Sequence, residues 1–390
     1  MIRKCFLCEE STEKVFSTTW VLPGLLPTEI GFSICPKCGS VCQSPSVDFD
    51  DMMAFYSSIA VYTNPGRQEL PSTAKIRDLD EQIQFIKRGI GNLPNSVLQI
   101  GSSDGYTLSR FRDAGIARVL GVEPGAASVS LAKRLYQVNC IHGSAETFET
   151  NENFELILMT HVLEHLYNPQ TTLSKCYRMQ QKVTEGFIYI EVPLMAKASS
   201  LCPGFFSFEH INYYTRDNLL KSLTDVGYSP VSVLEHFNSN LSPVIGILAS
   251  TKVQHHYSEY QSCYVDNKQI LLEYRQKEIS YWQGCLDALL PNLSKSQRVF
   301  LWGAGIHTSQ LVTNTNLLEI VKINGLTDTS PLKWGINQGD WLCQSPKDIN
   351  WKIGDYVIIS SYASEKEIFI ALSWLRDIGV VTLCLHNRDI

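Results

Sequence analysis

Four cysteines near the start of the chain have the spacing of a metal site. They form two C-x-x-C pairs, Cys5 with Cys8 and Cys35 with Cys38, and Gly39 follows the second pair. Two such pairs supply four thiolates, which is the donor set of a closed tetrahedral zinc site. Protein would fill all four positions, so we expect a structural Zn²⁺ ion here. The alternative is a set of buried thiols without metal.

A glutamate and a histidine later in the chain have the residue types of acid–base catalysis. Glu209 and His210 lie in an aromatic-rich segment that follows the apolar run 187–192, which predicts a strand. Loops at the carboxyl edge of a parallel sheet face the ligand, so this pair is suitably placed for proton transfer. Two other candidates, Glu164 and His165, belong to a H-V-L-E-H segment in which we expect them to anchor a helix rather than to act in catalysis.

A glycine-containing turn in the middle of the chain has the pattern of a nucleoside-binding loop. The apolar run 97–100 predicts a buried strand, and helical spacing resumes at Tyr106. A second short strand ends at Glu123, about 20 residues beyond the first glycine, where Rossmann-type folds place an acid on ribose hydroxyls. The candidate loop residues are Gly101, Ser102, Asp104 and Gly105. The alternative is an ordinary strand–helix turn with a solvated glutamate.

The acid inside this turn indicates the charge of the ligand. Asp104 would repel a pyrophosphate, so a cationic cofactor fits better than a dinucleotide. Here the residues resemble the class I S-adenosylmethionine-dependent methyltransferases, although Ser103 stands where their first motif usually has its middle glycine. The resemblance implies S-adenosyl-L-methionine as cofactor, with Ala145 and Glu146 flanking the adenine and His161 facing the methionyl end.

The surrounding elements predict an α/β fold. Apolar residues recur with helical spacing over 72–91, and a series of short strands alternates with helices up to 187–192. Two final strands, 230–234 and 243–249, are joined by a predicted hairpin turn at 238–240. Parallel strands that end in an antiparallel hairpin are typical of the Rossmann-like class I methyltransferase fold.

A second glycine turn predicts another α/β domain. After a long predicted helix at 255–290, the strand 299–302 leads into Gly303, Gly305 and His307, and the strand 321–326 leads to Asp328. This turn can receive a phosphate at a helix N-terminus, whereas Asp328 could bind a sugar hydroxyl or only cap a turn. We therefore predict three domains: a zinc-binding module (1–65), a methyltransferase domain (66–254) and a Rossmann-like substrate domain (255–390).

Three features in this order resemble the sugar C-methyltransferases that act on nucleotide-linked 4-keto-6-deoxyhexoses. They are the cysteine pairs, the E-H-x-x-Y-Y-T segment 209–215 and the second α/β domain. The resemblance implies that a base, for which His210 is our candidate, removes a proton beside the ketone, with Glu209 keeping it basic. Tyr62, from an aromatic linker, is the candidate phenol donor to the enolate. These enzymes often carry a tyrosine just before Glu-His, where this chain has Ser207 and Phe208.

Two other functions stay open at this stage. An O- or N-methyltransferase of a sugar or secondary metabolite could use the same base on a hydroxyl or an amine. A non-catalytic scaffold could bind a sugar nucleotide and use the zinc module as an interaction surface. Neither the cysteine spacing nor the glycine turns separate these alternatives from C-methylation.

Charge and hydropathy limit the partners. The chain has 390 residues and a formal net charge of −6, with basic and acidic residues interspersed, which argues against a nucleic-acid-binding surface. The longest apolar runs, such as 188–192 and 244–249, are too short to span a bilayer. In a reducing compartment, two C-x-x-C pairs with the other cysteines scattered favour metal binding over disulfides. We therefore expect a cytoplasmic enzyme with a nucleotide-linked sugar as substrate and no nucleic acid or membrane partner.

Overall fold

The computed structural model describes residues 2–58, 71, 73–236, 242–252, 260–293, 298–362 and 364–386. The strands are β1 Glu13–Trp20, β2 Thr28–Ile34, β3 Val41–Gln43, β4 Ser96–Ile100, β5 Arg118–Glu123, β6 Cys140–His142, β7 Leu156–Thr160, β8 Phe187–Pro193, β9 Asn212–Tyr213, β10 Ser229–His236, β11 Val244–Ser250, β12 Val299–Trp302, β13 Ile323–Thr327, β14 Asn337–Gln338, β15 Trp341–Gln344, β16 Tyr356–Ile359 and β17 Val381–Cys384. The helices are α1 Phe49–Ser58, α2 Thr73–Ile90, α3 Tyr106–Asp113, α4 Ala126–Tyr136, α5 Pro169–Gln180, α6 Arg216–Asp225, α7 Tyr264–Leu289, α8 Ile306–Asn314, α9 Leu317–Ile320, α10 Glu365–Ala371 and α11 Ser373–Asp377.

The chain divides into two units that are not continuous segments. Unit 1 comprises Met1–Val15, Phe32–Cys202 and Glu209–Ile270, and unit 2 comprises Phe16–Gly31, Pro203–Phe208 and Leu271–Ile390. The sequence predicts three consecutive domains instead, and that division stays a prediction about which segments fold independently.

Unit 1 contains a seven-stranded sheet in the order β10-β11-β8-β7-β4-β5-β6. The strands from β8 to β6 pair in parallel, whereas β11 pairs antiparallel with both β8 and β10. The predicted α/β fold, a Rossmann-like sheet that ends in an antiparallel strand pair, is therefore confirmed. The predicted turn at 238–240 lies outside the described residues.

Both faces of this sheet are buried, as continuous apolar strands predict. Along β7, Ile157 and Met159 point into one core and Leu156 and Leu158 point into the other. The first core also contains Cys5, Cys35 and Cys38, and the partly buried Cys8 packs against it. Parallel pairing places the carboxyl ends of β4, β5 and β7 at the same edge of the sheet, and there the candidate loops begin.

Unit 2 contains a six-stranded sheet in the order β14-β15-β13-β12-β16-β17, parallel except for β14 with β15. The segment Phe16–Gly31, from an early part of the chain, also belongs to this unit. Ser309 accepts a hydrogen bond from the Val21 amide at 2.7 Å, and Gln338 Nε2 donates to the Val21 carbonyl at 2.8 Å.

A further sheet has the order β1-β2-β3-β9. Within the described ranges no helix is both long and apolar enough to cross a membrane.

Candidate active site

The loop after β4 requires left-handed backbone at three positions. Gly101 has φ 73° and Gly105 has φ 78°. A Cβ on Gly101 would lie 2.4 Å from Cγ2 of Val162, and one on Gly105 would lie 2.8 Å from Cβ of Ala132. Ser103 adopts φ 50°, which is costly for a non-glycine residue and explains why related loops favour glycine there. Gly101 lets the loop lie against the turn that follows β7, and Gly105 lets it lie against α4.

Glu123, at the end of β5, holds the same loop in place. Its Oε2 accepts a hydrogen bond from the Ser103 amide at 2.9 Å, and its Oε1 accepts one from the Gly125 amide at 2.9 Å. The residue is buried, and burial raises the pKa of its carboxyl group. A carboxylate has about four acceptor positions, so these two bonds leave capacity for the ribose hydroxyls of a nucleoside.

Asp104 and Ser102 have structural roles in the loop as well. Asp104 Oδ1 accepts a hydrogen bond from the Tyr106 amide at 3.1 Å at the start of α3, and Ser102 is buried. The acidic side chain thus satisfies one of the free amides at the helix N-terminus. It also keeps negative charge in the turn where the sequence predicts a cationic ligand.

The predicted adenine-flanking residues follow β6. Ala145 is buried, and Glu146 Oε1 accepts a hydrogen bond from the Asn168 amide at 2.7 Å. Glu146 also lines a cavity of about 570 Å³ together with Arg3 and Tyr167, and burial raises the pKa of its carboxyl group. The structure therefore places a partly buried acid at this position.

His161 follows β7 and adopts a strained backbone. Its φ is 54°, and its amide donates to the Glu191 carbonyl at 2.8 Å. Its Nδ1 lies 3.4 Å from Oε1 of Glu164, and its Nε2 lies 3.5 Å from Oε1 of Glu191. The side chain is 49 % exposed although both acids are buried. A non-glycine residue in this backbone region is costly, so the surrounding structure must hold His161 in this conformation.

Glu164, His165 and His210 come together beside His161. Glu164 Oε1 lies 3.8 Å from His165 Nε2, and the rings of His165 and His210 lie 4.9 Å apart at 77°. Burial opposes ionisation of Glu164, but the facing His161 and the nearby His165 and His210 outweigh it and lower its pKa to about 2. Burial, and next the proximity of His165, lower the pKa of His210 to about 3, so this imidazole is neutral at pH 7.

Glu209, which neighbours His210 in the sequence, contacts His165 through its backbone. Its backbone carbonyl accepts a hydrogen bond from Nδ1 of His165 at 3.0 Å, and burial raises the pKa of its carboxyl group to about 7. The acid that faces His161 and His165 is Glu164. The sequence signal for this acid is the H-V-L-E-H segment, in which we predict a helix-anchoring role for Glu164. Tyr62 lies outside the described residues, so its predicted role stays a prediction.

Glu191 is a further residue that sequence reasoning missed. It lies within β8, where its carboxylate accepts hydrogen bonds from Gln82 Nε2 and from the Tyr189 hydroxyl, both at 2.7 Å. A single acid in an otherwise apolar strand was the available signal. Glu191 places a second buried carboxylate against His161.

The four N-terminal cysteines converge as their spacing predicts. Their Sγ atoms all lie within 4.8 Å of one another, and the Cys5–Cys38 and Cys8–Cys35 separations are 3.5 Å. Sulfur atoms about 2.3 Å from a tetrahedral zinc are separated by about 3.8 Å, so the donor set fits that ion. Gly39 has φ 74°, and a Cβ there would lie 2.5 Å from the Tyr264 amide nitrogen. Cys35 and Cys38 thus lie on a tight turn that requires glycine at position 39.

The predicted substrate loop of unit 2 lies at the carboxyl edge of its own sheet. Gly303 has φ 121°, and a Cβ there would lie 2.8 Å from Oγ of Ser360, whereas a Cβ on Gly305 would meet open space. Asp328 Oδ2 accepts a hydrogen bond from the Ala304 amide at 2.8 Å. Burial and next the proximity of His386 lower the pKa of His307 to about 3. The loop is therefore braced by Asp328 and open at Gly305.

Residues 73–233, from α2 into β10, match the model of a family described as a methyltransferase domain. These residues form a class I methyltransferase domain. The chain accordingly contains a methyltransferase domain, and the match covers 161 of its 390 residues. A comparison with curated proteins found no match.

Solved structures similar to this methyltransferase include two from bacteria. The N-methyltransferase NodS from Bradyrhizobium japonicum WM9, in complex with S-adenosyl-L-homocysteine, has a TM-score of 0.39 and 11 % identity, covering 52 % of this chain and 97 % of that one. The 1,6-didemethyltoxoflavin-N1-methyltransferase from Burkholderia thailandensis has a TM-score of 0.41 and 15 % identity, covering 59 % and 98 %.

Proposed function

We propose that this methyltransferase acts on a carbon beside a ketone in a nucleotide-linked keto-deoxysugar. The observation that carries the proposal is the position of the His210 imidazole in a partly buried cluster with Glu164 and His165, whose ligand atoms all lie within 4.8 Å of one another. The cluster adjoins the cofactor loop, because Val162 packs on Gly101 and lies one residue after His161. A base placed next to the methyl donor supports alkylation of a carbon acid.

The residues that would hold the cofactor surround the carboxyl edge of the unit 1 sheet. Bound S-adenosyl-L-methionine supplies an electrophilic methyl group. Glu123 has acceptor capacity for ribose hydroxyls, and the acid of Asp104 suits a cation. We assign this role to Gly101, Ser102, Asp104, Gly105, Glu123, Ala145, Glu146 and His161.

The proton chemistry depends on His210 and the charge near it. The carbon beside the ketone loses its proton to the imidazole, and the electron pair passes to the ketone oxygen to give an enolate. Glu164 favours the imidazolium that forms, because its carboxylate is already ionised and lies in the same cluster. The enolate carbon would then take the methyl group as the methyl–sulfur bond of the cofactor breaks, which would leave a neutral thioether. In this proposal Tyr62 donates a hydrogen bond to the enolate oxygen, and Glu209 supports the base.

The remaining features are assigned to the substrate and to stability. We assign Gly303, Gly305, His307 and Asp328 to a phosphate-bearing substrate, supported by the open Gly305 at the start of α8. The cysteine tetrad would hold a structural Zn²⁺ ion, because four protein thiolates leave no position for water. Free thiols in that tetrad need a reducing environment, so we propose the cytoplasm as the place of action.

Hydrogen–deuterium exchange in the absence of cofactor tests the carbon-acid step. The protein is incubated in D₂O with a panel of nucleotide-linked 4-keto-6-deoxyhexoses, and loss of the proton beside the ketone is followed by NMR. We expect exchange with wild-type protein and a loss of at least about 100-fold with His210→Ala, within the usual contribution of a general base. Addition of cofactor should then increase the product mass by one methylene.

Two controls separate this result from simpler explanations. His210→Ala should bind S-adenosyl-L-homocysteine in calorimetry as wild type does, because Glu123 and the glycine loop are unchanged. Exposed His142→Ala should leave the exchange rate unchanged. Methyl transfer to a hydroxyl or an amine without carbon exchange would refute the proposal in favour of an O- or N-methyltransferase.

A further inference from the structure

The cluster of Glu164, His165 and His210 has the donor set of a metal site. One carboxylate oxygen and two imidazole nitrogens from these residues all lie within 4.8 Å of one another. Two histidines with one carboxylate are the ligands of many zinc and non-haem iron centres. The cysteine tetrad shares no residue with this cluster, so the two donor sets are separate.

The distances around Glu164 suit a shared cation better than direct hydrogen bonds. Glu164 is 2 % exposed, and its Oε1 lies 3.4 Å from His161 Nδ1 and 3.8 Å from His165 Nε2. Both separations exceed the 2.7–3.2 Å range of a normal N–H···O bond. Ligand atoms about 2.0–2.1 Å from a tetrahedral zinc lie about 3.3 Å apart, so side-chain movements of about 1 Å would close the site.

A hydrogen bond of His165 fixes which of its nitrogens faces Glu164. Nδ1 lies 3.0 Å from the Glu209 carbonyl oxygen, which can only accept, so Nδ1 carries the proton. In a neutral imidazole, Nε2 then presents its lone pair toward the buried carboxylate. A carbonyl acceptor on the outer nitrogen is also the usual support of a metal-bound histidine.

Hydrogen bonds fix the backbone segments that carry these side chains, and these bonds do not depend on a bound ion. The 3-10 turn Leu163–His165 is joined to the segment of His210 because the Ile211 amide donates to the Glu164 carbonyl at 2.9 Å. Asn212 Nδ2 also donates to the Leu166 carbonyl at 2.7 Å. The two segments are thereby held at a fixed separation, which is the preorganisation a metal site needs.

We propose that Glu164, His165 and His210 bind a divalent transition-metal ion of the Zn²⁺, Co²⁺ or Fe²⁺ type. Two imidazoles favour these ions over Mg²⁺ and Ca²⁺, which prefer oxygen ligands. The donor set does not depend on the identity of the substrate. Its effect on activity does rest on the proposed function, because an ion on the His210 nitrogen prevents that nitrogen from accepting a proton. Metal binding and base catalysis then exclude each other at this site.

Cobalt titration of the full-length protein tests the site. The protein is first loaded with one equivalent of Zn²⁺ and then titrated with Co²⁺, and metal content is measured by native mass spectrometry beside the visible absorption spectrum. We expect one Co²⁺ per chain whose spectrum lacks thiolate-to-cobalt charge transfer. Glu164→Gln and His165→Ala should weaken this binding by more than the roughly 10–100-fold cost of losing an outer-shell partner. His142→Ala, which removes an exposed imidazole elsewhere, should bind Co²⁺ as wild type does.

The number of Co²⁺ ions bound per wild-type chain tests the proposal even if a variant folds poorly. A wild-type protein that takes up no second ion refutes the site, as does an ion that both cluster variants retain at full affinity. Charge-transfer bands in the spectrum would assign the cobalt to the cysteines and also count against the proposal. The measurement needs neither cofactor nor sugar, so its failure leaves the carbon-exchange test of the proposed function unaffected.

Discussion

Replacing Glu123 by glutamine is expected to weaken cofactor binding strongly. The Glu123 carboxylate already accepts amide hydrogen bonds from Ser103 and Gly125, and we assign its remaining acceptor capacity to the ribose hydroxyls. Hydrogen bonds to charged groups contribute about 1.5–3 kcal/mol each, against about 0.5–1.5 kcal/mol for neutral ones. With about 1–1.5 kcal/mol lost for each of two ribose bonds, affinity should fall by roughly 30- to 150-fold.

The same substitution should also reduce the free energy of unfolding. A glutamine amide nitrogen would face one of the two backbone N–H donors, which would leave that buried donor unsatisfied at a cost of about 1–3 kcal/mol. The assay is calorimetric titration with S-adenosyl-L-homocysteine, beside denaturant unfolding without ligand. Both measurements on one sample separate lost affinity from lost fold.

A matched control is available at the opposite end of the sheet. The Glu155 carboxylate accepts a hydrogen bond from the Asn95 amide at 2.8 Å and precedes β7, so it lies at the amino edge of the strands. Glu155→Gln should therefore lose a similar backbone contact and keep cofactor affinity. If folded Glu123→Gln binds the ligand as tightly as wild type, our assignment of the ribose acid is wrong.

Two further predictions concern the metal and pH. Cys35→Ser should lose the bound zinc and lower the melting temperature, whereas Cys42→Ala, a buried cysteine outside the tetrad, should keep one zinc by elemental analysis; equal zinc content in both would contradict the assignment. The folded-state pKa of His307 is depressed to about 3, so its stabilising contribution is complete above about 6.5 and is lost as pH falls towards 3. Moving from pH 7 to pH 5 should cost up to about 2 kcal/mol. Urea unfolding at both pH values should show a smaller loss for His307→Gln, and an unchanged loss would argue against a buried neutral imidazole.

The sequence predicted those parts of the structure that depend on local patterns. The apolar runs predicted β4, β5 and β8 to within a few residues because buried parallel strands are apolar on both faces. The C-x-x-C spacing also predicted correctly that the four thiols would converge, since each pair lies on one short turn.

Long-range contacts were not predictable in the same way. Glu164 faces the histidines because a 3-10 turn is joined by backbone hydrogen bonds to residues near position 211, which are distant in sequence. Because Glu209 and His210 are adjacent in the sequence, we predict Glu209 as the acid that supports the base, whereas Glu164 is the acid that faces His161 and His165. Segment 16–31 belongs to unit 2 through contacts made almost 300 positions later, which no local pattern records.

The discontinuous path of the chain has a consequence for biosynthesis. Val21 finds its partner Ser309 only after the ribosome has added about 290 more residues, which takes roughly 15–60 s at about 5–20 residues per second. During that interval the segment around Val21 has left the ribosome, whereas α8 and β14, which it contacts, have not yet been made. Nascent protein should therefore depend on chaperones until translation ends, and a fragment starting near position 255 would lack a piece of its own fold.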